Sequence, residues 1–245
     1  MKNEASRIKE ASNPRTNGAV LILCLFGLGV SLTELLQITG LDLGISSYFF
    51  DIRPDDGGWA WGRFGVWAAL YEYGNAPGIF LGIASLTAYA WARNKERLSA
   101  YRKPCLVMLF TVLLGPGLIV NGLLKPGWGR ARPADTAECG GTERYGTVWE
   151  PGGPGRGKSF PCGHCSMAFA LTSLGALHPI HPFIATAGTA VGVVYGGIMG
   201  IARVAQGGHF ATDVIWSGVI VVSIAAWLYY FLFRVPEDRP PAPRS

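Results

Sequence analysis

Long apolar blocks with almost no charged residue are the dominant feature of this sequence. An α-helix needs about 20 apolar residues to cross a bilayer, and five nearly charge-free blocks approach that length. They cover residues 19–36, 76–92, 105–124, 183–202 and 214–233. A sixth and weaker block, 160–177, contains one His and two Cys. The blocks predict an all-α integral membrane protein with six transmembrane helices, and they exclude a single soluble domain.

The composition agrees with a membrane chain. Hydrophobic residues make up 49% of the 245 residues and charged residues only 15%, against about 25% charged in an average soluble domain. Lys and Arg at the ends of membrane helices explain the formal net charge of +5, so nucleic acid is not expected as a partner. The expected partner is the lipid bilayer, and the sequence leaves the oligomeric state open.

The distribution of Lys and Arg predicts the orientation. Six spans place both termini on one side of the membrane, and short cytoplasmic loops collect Lys and Arg. Twelve of the 21 basic residues lie on the side of the termini, namely Lys2, Arg7, Lys9, Arg15, Arg93, Lys95, Arg97, Arg102, Lys103, Arg234, Arg239 and Arg244. We therefore expect an integral protein of the inner (plasma) membrane with both termini in the cytoplasm.

Three segments outside the apolar blocks have a distinct composition. An aromatic-rich stretch between the first two blocks predicts an interfacial helix on the outer face; its aromatic residues are Trp59, Trp61, Phe64, Trp67, Tyr71 and Tyr73. Gly and Pro are frequent in residues 134–159, which predicts a mobile outer loop. Four prolines after Phe233 predict a disordered tail at 236–245, and residues 1–235 then form one membrane domain.

Polar residues gather at the ends of three blocks, where they are expensive in lipid and therefore candidates for function. The first group follows block 105–124, the second opens block 160–177, and the third lies between the last two blocks. In chain order they are Lys125, Arg132 and Pro133, then Pro161, Cys162, Gly163 and His164, then Arg203, His209 and Asp213. Because successive spans alternate in direction, all three groups are predicted to emerge on the outer face.

Cations, two imidazoles and a carboxylate at one surface suit a tetrahedral phosphate dianion. Arg forks and a Lys point charge hold such an anion and neutralise charge that develops in phosphoryl transfer. His209 and Asp213 are four residues apart, so on a helix start the carboxylate can fix the imidazole tautomer. A His held in this way is a competent nucleophile, and His164 can protonate the leaving oxygen. Backbone N–H groups around Gly163 add an anion site at a helix start.

The spacing of these groups resembles the three-part signature of the type 2 phosphatidic acid phosphatase superfamily. The matching residues are Lys125 with Arg132 and Pro133, the run from Pro161 to His164, and Arg203 with His209 and Asp213. The resemblance implies a metal-independent membrane phosphatase without a cofactor. It further implies that the phosphate-binding residues are Lys125, Arg132, Arg203, Cys162 and Gly163.

By the same resemblance, His209 would form a phosphohistidine, Asp213 would orient it, and His164 would be the general acid. Two positions depart from the family pattern, because Cys162 and Ala202 stand where the family usually has Ser. Each change removes a hydroxyl near the phosphate. We expect an effect on rate or substrate range more than on reaction class.

The predicted depth of the site indicates the kind of substrate. A site at the membrane boundary reaches the phosphate of a lipid whose tails stay in the bilayer. The resemblance allows lipid A phosphates, undecaprenyl diphosphate, phosphatidylglycerophosphate or phosphatidic acid. The outer-facing site and the basic, glycine-rich loop favour lipid A or a polyprenyl diphosphate.

Two other functions fit parts of the sequence. Cys162 and Cys165 have the C-x-x-C spacing of a thioredoxin-type redox pair, so a membrane thiol–disulfide oxidoreductase is the alternative. It lacks a βαβ context and gives the Lys, Arg and Asp residues no role. A transporter would place its charges inside the spans, whereas this chain has them at span ends.

The remaining cysteines and cations are given structural roles. Cys139, Cys162 and Cys165 face the outer, oxidising side in this layout, which predicts one disulfide from Cys139 to Cys162 or Cys165. Cys24 and Cys105 are expected to be reduced packing residues. Four further cations are expected to contact lipid headgroups or solvent, namely Arg130, Arg144, Arg156 and Lys158.

Overall fold

Every regular element of the chain is helical in a computed structural model, which describes residues 14–51 and 58–233. The α-helices are α1 Pro14–Ile38, α2 Leu41–Asp51, α3 Gly65–Tyr73, α4 Ala76–Ala92, α5 Ser99–Val112, α6 Lys125–Trp128, α7 Gly163–Phe169, α8 Pro182–Ala205 and α9 Ala211–Trp227. Leu113–Leu124 and Leu228–Phe233 are π-helical, and 3₁₀ turns cover Trp61–Arg63, Glu96–Leu98, Pro133–Asp135, Ala137–Cys139 and Ala170–Leu177. The prediction of an all-α chain is confirmed.

Four helical stretches are long and apolar enough to cross a membrane. They are Arg15–Ile38, Glu96–Asp135, Pro182–Ala205 and Ala211–Phe231. The other two predicted blocks also form helix, but α4 has 17 residues, and the 15 residues from Gly163 to Leu177 change from α to 3₁₀ pitch at Ala170. Six spans therefore stay a prediction, and the predicted tail at 236–245 lies outside the described residues.

The stretch from α5 to α6 changes pitch because of proline. Pro116 has no N–H to donate, and it lies inside the π-helical segment Leu113–Leu124. The side-chain amide of Asn121 also donates to the Pro116 carbonyl at 2.7 Å. This segment ends directly at Lys125, so its pitch determines where that Lys points.

Helix α9 lies at the centre of the helix packing. It contacts α1, α7, α8 and the π-helical segment Leu113–Leu124. Its first turn contains Thr212 and Asp213, both with no exposed surface. The start of α9 is therefore the place where several elements meet, and it carries one of the predicted site residues.

Small residues set the register between α8 and the helical segment before it. A Cβ on Gly192 would lie 2.5 Å from the Thr172 backbone nitrogen, and one on Gly196 would overlap the ring of Phe169. Such close approach is what Gly allows between membrane helices. Because the two segments run antiparallel, this register brings Arg203, at the end of α8, opposite the start of α7 at Cys162.

The aromatic segment before α4 forms a 3₁₀ turn and α3. Trp61, Phe64 and Tyr73 are exposed, while the Trp67 carbonyl accepts a hydrogen bond from the side-chain amide of Gln206 at 2.8 Å. The segment is thus attached to the turn after α8. Its position at the membrane boundary stays a prediction.

Residues 134–159 are fastened to helix ends at several points. Trp149 Nε1 donates to Glu34 Oε1 at 2.7 Å, and Trp128 Nε1 donates to the Val148 carbonyl at 3.0 Å. The Val148 side chain is fully buried. These contacts were not apparent from the Gly and Pro content, which had predicted a mobile loop.

Candidate functional site

A cavity of about 650 Å³ opens where the end of α8, the segment after α6 and helix α3 meet. Its charged and aromatic lining includes Arg63, Tyr71, Glu72, Arg132, Asp135 and Arg203. Two of these, Arg132 and Arg203, are predicted phosphate-binding residues from different sequence groups. The fold therefore brings the first and third groups to one opening.

Buried guanidinium nitrogens at this opening have no acceptor. Among the described residues, the Nε atoms of Arg132 and Arg203 are buried without a hydrogen-bond partner. Arg203 uses another nitrogen, Nη1, to donate to Gln206 Oε1. Because a buried donor without a partner is costly, these N–H groups suit an anion that enters the cavity.

Lys125 and the second sequence group lie next to this opening. Cys162, Arg132, Arg203 and Asp213 are all within electrostatic range of the Lys125 ammonium. Cys162 and Gly163, at the start of α7, are buried. A Cβ on Gly163 would lie 2.5 Å from Asn121 Oδ1, so glycine is needed for this close contact.

His209 is almost completely buried and has a defined tautomer. Its Nδ1 lies 2.5 Å from the carbonyl oxygen of Ser159 and 3.7 Å from Asp213 Oδ2. A carbonyl oxygen only accepts hydrogen bonds, so Nδ1 carries the proton and Nε2 has a free lone pair. The residue that contacts Nδ1 directly is Ser159, with Asp213 farther away.

The charge around His209 favours its protonated form. Burial alone lowers the pKa of the imidazole, but negative charge on Cys162 and Asp213 outweighs burial and raises the pKa above its ordinary value. The neutral imidazole is therefore populated at higher pH than in a histidine with an ordinary pKa.

The Asp213 carboxylate is held by three donors. Oδ1 accepts from Arg130 at 2.6 Å, while Oδ2 accepts from the Ser159 hydroxyl at 2.6 Å and from the Phe210 backbone N–H at 2.8 Å. Ser159 thus contacts both members of the predicted pair, through its hydroxyl on Asp213 and its carbonyl on His209.

Arg130 is not a headgroup or solvent contact, and that interpretation of the sequence was wrong. Its side chain is buried, and it forms ion pairs with Asp213 at 2.6 Å and with Asp42 at 2.8 Å. A lone Arg near a span end is usually explained by lipid headgroups. The two carboxylates that face it come from distant parts of the chain, so local sequence gave no sign of them.

His164, in the first turn of α7, faces helix α3. Its Nε2 lies 3.1 Å from the Tyr71 carbonyl oxygen, which can only accept, so Nε2 carries a proton. The Tyr71 ring stacks on the imidazole. The second nitrogen, Nδ1, is then the one that can gain and donate a proton.

The cysteines form no disulfide among the described residues. The predicted bond from Cys139 to Cys162 or Cys165 is therefore absent. Cys162 and Cys165 are adjacent, with 2.6 Å between their sulfur atoms, and neither has exposed surface. A redox pair needs an accessible sulfur to exchange with a partner, and this burial does not favour the oxidoreductase alternative.

Four residues that contact the candidate site were not predicted from the sequence as functional. They are Asp42, Tyr71, Arg130 and Ser159. Arg130 and Ser159 are each within two residues of a signature group, so proximity in sequence could have suggested them. Asp42 and Tyr71 lie far upstream of the three signature groups. Nothing in the sequence around them indicated a contact with the site.

Fold and site together define an all-helical membrane protein with a cationic pocket, lined by Arg132 and Arg203, and with His164 stacked on the Tyr71 ring of its lining. A family model described as the PAP2 superfamily matches residues 103–237, more than half of the chain. The chain belongs to this superfamily, and the resemblance recognised from the three sequence groups is confirmed.

One similar protein is the Lipid A 4'-phosphatase of Francisella tularensis subsp. novicida (strain U112). The two are 34% identical over 138 residues, which cover 54% of this chain and 59% of that protein. The match thus spans less than two thirds of the relative's length. No solved structure matches the chain.

Proposed function

We propose that this protein is a membrane lipid phosphatase that works through a phosphohistidine. The observation that carries the proposal is the pair of buried, unpartnered Nε–H groups of Arg132 and Arg203 at one cavity. Together with Lys125 they offer a tetrahedral dianion hydrogen bonds and three positive charges. Membership of the PAP2 superfamily supports the same reaction class.

The reaction proceeds by two transfers of one phosphoryl group. With the phosphate held by Lys125, Arg132 and Arg203, the lone pair on His209 Nε2 attacks phosphorus and the bond to the leaving oxygen breaks. Protonated His164 gives its Nδ1 proton to that oxygen. Water then attacks phosphorus and gives a proton to His164 Nδ1, the bond from phosphorus to His209 Nε2 breaks with its electron pair returning to Nε2, and phosphate leaves with both histidines in their starting states.

Asp213 and Ser159 support the nucleophile. The Ser159 carbonyl fixes the Nδ1 proton, and the Asp213 carboxylate stabilises the positive charge that His209 gains during attack. Cys162 and Gly163 lie at the start of α7, where backbone N–H groups favour an anion. Cys162 itself contributes no hydroxyl, so the phosphate there depends more on the three cations.

We propose a lipid A phosphate monoester as substrate, with a polyprenyl diphosphate as the second candidate. Similarity to the Lipid A 4'-phosphatase of Francisella supports the first choice. An outer-facing site in the inner membrane, with both termini in the cytoplasm, fits either lipid. The proposed six-span layout gives this orientation through the positive-inside rule.

A substrate panel tests the function. Purified protein in mixed micelles is given lipid A, undecaprenyl diphosphate, phosphatidylglycerophosphate and phosphatidic acid, and released phosphate is measured. We expect release from lipid A, none with His209→Ala, and normal release with His178→Ala, a matched His replacement at the opposite end of the helices. Release from none of the four by the folded wild-type protein would reject the proposal.

A further inference from the structure

A chain of buried charges extends behind the candidate nucleophile. Asp42, at the start of α2, pairs with Arg130, and Arg130 pairs with Asp213. All three side chains are at most 2% exposed. One guanidinium therefore lies between two carboxylates, and neither carboxylate is screened by water.

Hydrogen bonds satisfy the buried group at Asp42. Its Oδ1 accepts from the Thr212 N–H at 3.0 Å, and its Oδ2 accepts from the Thr212 hydroxyl, Arg130 Nη2 and the Tyr145 hydroxyl at 2.8, 2.8 and 3.1 Å. Buried ion pairs persist when every lone pair has a donor of this kind. The site is built for a charged carboxylate at position 42.

Arg130 is fixed along its whole guanidinium. Its Nε donates to the Gly146 carbonyl at 3.0 Å, Nη1 donates to Thr212 Oγ1 and Asp213 Oδ1, and Nη2 donates to Asp42. The Phe210 ring packs on it, with 4.3 Å from Cζ to the ring centre. Because all three nitrogens of the planar guanidinium are hydrogen-bonded, Arg130 cannot shift, and it fixes the position of Asp213 Oδ1.

Ser159 connects the fixed Asp213 carboxylate to His209 through two hydrogen bonds. With Oδ1 held by Arg130, the other Asp213 oxygen receives the Ser159 hydroxyl, and the Ser159 carbonyl receives His209 Nδ1. Each link is a short hydrogen bond between buried groups. A displacement of Asp213 would therefore move Ser159, and with it the imidazole.

We propose that Asp42 is a positioning residue, which acts through Arg130, Asp213 and Ser159 to hold His209 in line for attack. The proposal rests on the proposed function, since it assigns His209 as the nucleophile. Asp42 touches neither substrate nor the phosphate-binding cations. It lies outside residues 103–237, the part of the chain that matches the family model, so the nucleophile depends on a helix that the family match does not include.

Asp42→Asn is the informative variant because it is expected to fold. The wild-type trio holds two negative charges and one positive charge, and the variant leaves a neutral Arg130–Asp213 pair with no unpaired buried cation. Tyr145→Phe, which removes only the 3.1 Å hydrogen bond, gives a milder perturbation of the same carboxylate. Glu34→Gln is the matched control, because Glu34 is an exposed carboxylate that accepts a hydrogen bond from Trp149, away from Asp42 and Arg130.

Kinetics distinguish positioning from general support of the fold. A displacement of the reacting atoms by about 1 Å is worth about 100-fold in rate, so we expect kcat of Asp42→Asn to fall by about 10-fold to 100-fold. KM and the inhibition constant of inorganic phosphate should change by less than about 2-fold, since the cations that bind a ground-state phosphate are untouched. The loss should persist on an aryl phosphate with a good leaving group, because attack and not protonation is impaired. Tyr145→Phe should lie between Asp42→Asn and wild type, and Glu34→Gln should equal wild type.

A second readout does not depend on turnover. In protein labelled with [¹⁵N]histidine, the His209 Nδ1 proton is identified by its loss in His209→Ala, and its resonance reports the hydrogen bond to Ser159. We expect Asp42→Asn to shift this resonance and Glu34→Gln to leave it unchanged. An unchanged resonance overturns the inference even if the wild-type protein releases no phosphate.

Failure of the inference is separable from failure of the proposed function. Wild-type protein without phosphatase activity rejects the function, and the NMR comparison still decides the positioning role. Active wild type with an unchanged kcat in Asp42→Asn rejects the inference alone. A parallel loss of kcat and of binding of inorganic phosphate also rejects it, because Asp42 would then support the whole pocket.

Discussion

The ring of Tyr71 stacks on the imidazole of His164, with 5.1 Å between ring centroids and 23° between the ring planes. The guanidinium carbon of Arg203 lies 4.7 Å from the centre of the same Tyr71 ring. One aromatic side chain on α3 therefore contacts both the proposed general acid and a proposed phosphate-binding cation. Its backbone carbonyl also holds His164 Nε2.

Replacement of Tyr71 should impair both of its neighbours. Cation–π and stacking contacts are each worth about 0.5–2 kcal/mol, so Tyr71→Leu should lower kcat/KM for the lipid by about 10-fold. Tyr71→Phe keeps the ring and should stay near wild type. Tyr73→Leu, two residues away on the same helix and exposed like Tyr71, is the control. Equal activity of Tyr71→Leu and Tyr73→Leu would show that the ring has no role.

The two histidines should differ in their dependence on the leaving group. His209→Ala should abolish turnover and the labelled phosphoenzyme, since no other group replaces the nucleophile. His164→Ala should lower kcat by about 10²- to 10⁴-fold on the lipid and by much less on an aryl phosphate that needs no proton. Rapid acid-free quenching with ³²P-labelled substrate measures the intermediate. A labelled phosphoenzyme in His209→Ala would place the nucleophile elsewhere.

Cys162→Ser should retain turnover and shift its pH dependence. Attack requires neutral His209, so kcat rises as pH rises through the pKa of that imidazole. Negative charge on Cys162 helps to raise this pKa, and Ser does not carry it. The acid limb of the pH profile should therefore move to lower pH, while Cys24→Ser leaves it in place. An inactive Cys162→Ser beside an active His209→Ala would favour the redox alternative.

Metal chelators should leave activity unchanged, whereas vanadate should inhibit. In the described part of the chain, no group of three or more His, Cys, Asp or Glu side chains is arranged to hold a metal ion. Vanadate mimics the transferring phosphate and should use the free N–H groups of Arg132 and Arg203. Arg203→Ala should weaken vanadate inhibition by about 10-fold or more, the usual worth of a charged hydrogen bond. Loss of activity in EDTA with recovery on added zinc contradicts the mechanism.

Cysteine labelling should establish the orientation. Single cysteines introduced into residues 93–103 should react with a membrane-impermeant reagent only after the inner membrane is opened. Single cysteines at 140–157 should react in intact spheroplasts, because the Trp149–Glu34 contact puts this loop at the end of α1. Labelling of position 97 from outside would reverse the predicted layout.

The sequence indicated candidate site residues because two signals coincide in them. Polar residues gather at the ends of three apolar blocks, and Arg203, His209 and Asp213 stand at the spacings of a known signature, so each group pointed to a role. The order of the helices followed from the blocks themselves. The helical class and the superfamily were accessible without coordinates for this reason.

The supporting groups could not be predicted because their partners are distant in sequence. Asp42 contacts Arg130 and Thr212, which are 88 and 170 residues away in sequence. From sequence alone, a carboxylate that forms such contacts cannot be distinguished from one that faces solvent at the end of a span. The π-helical pitch around Pro116 was equally hidden, because apolar periodicity does not distinguish it from a kinked α-helix. The Ser159 contact depends on its backbone carbonyl, which every residue has.

The roles proposed for Asp42 on α2 and Tyr71 on α3 make the smallest functional part of the chain longer than the segment that matches the family model. A fragment trimmed to residues 103–237 would keep every Lys, Arg, His and Asp of the three groups. It would lose the carboxylate behind Arg130 and the ring beside His164. Chimeras that graft this catalytic segment onto another membrane anchor should therefore carry residues 41–73 with it, and libraries that vary those residues would retune the site while leaving its reacting groups unaltered.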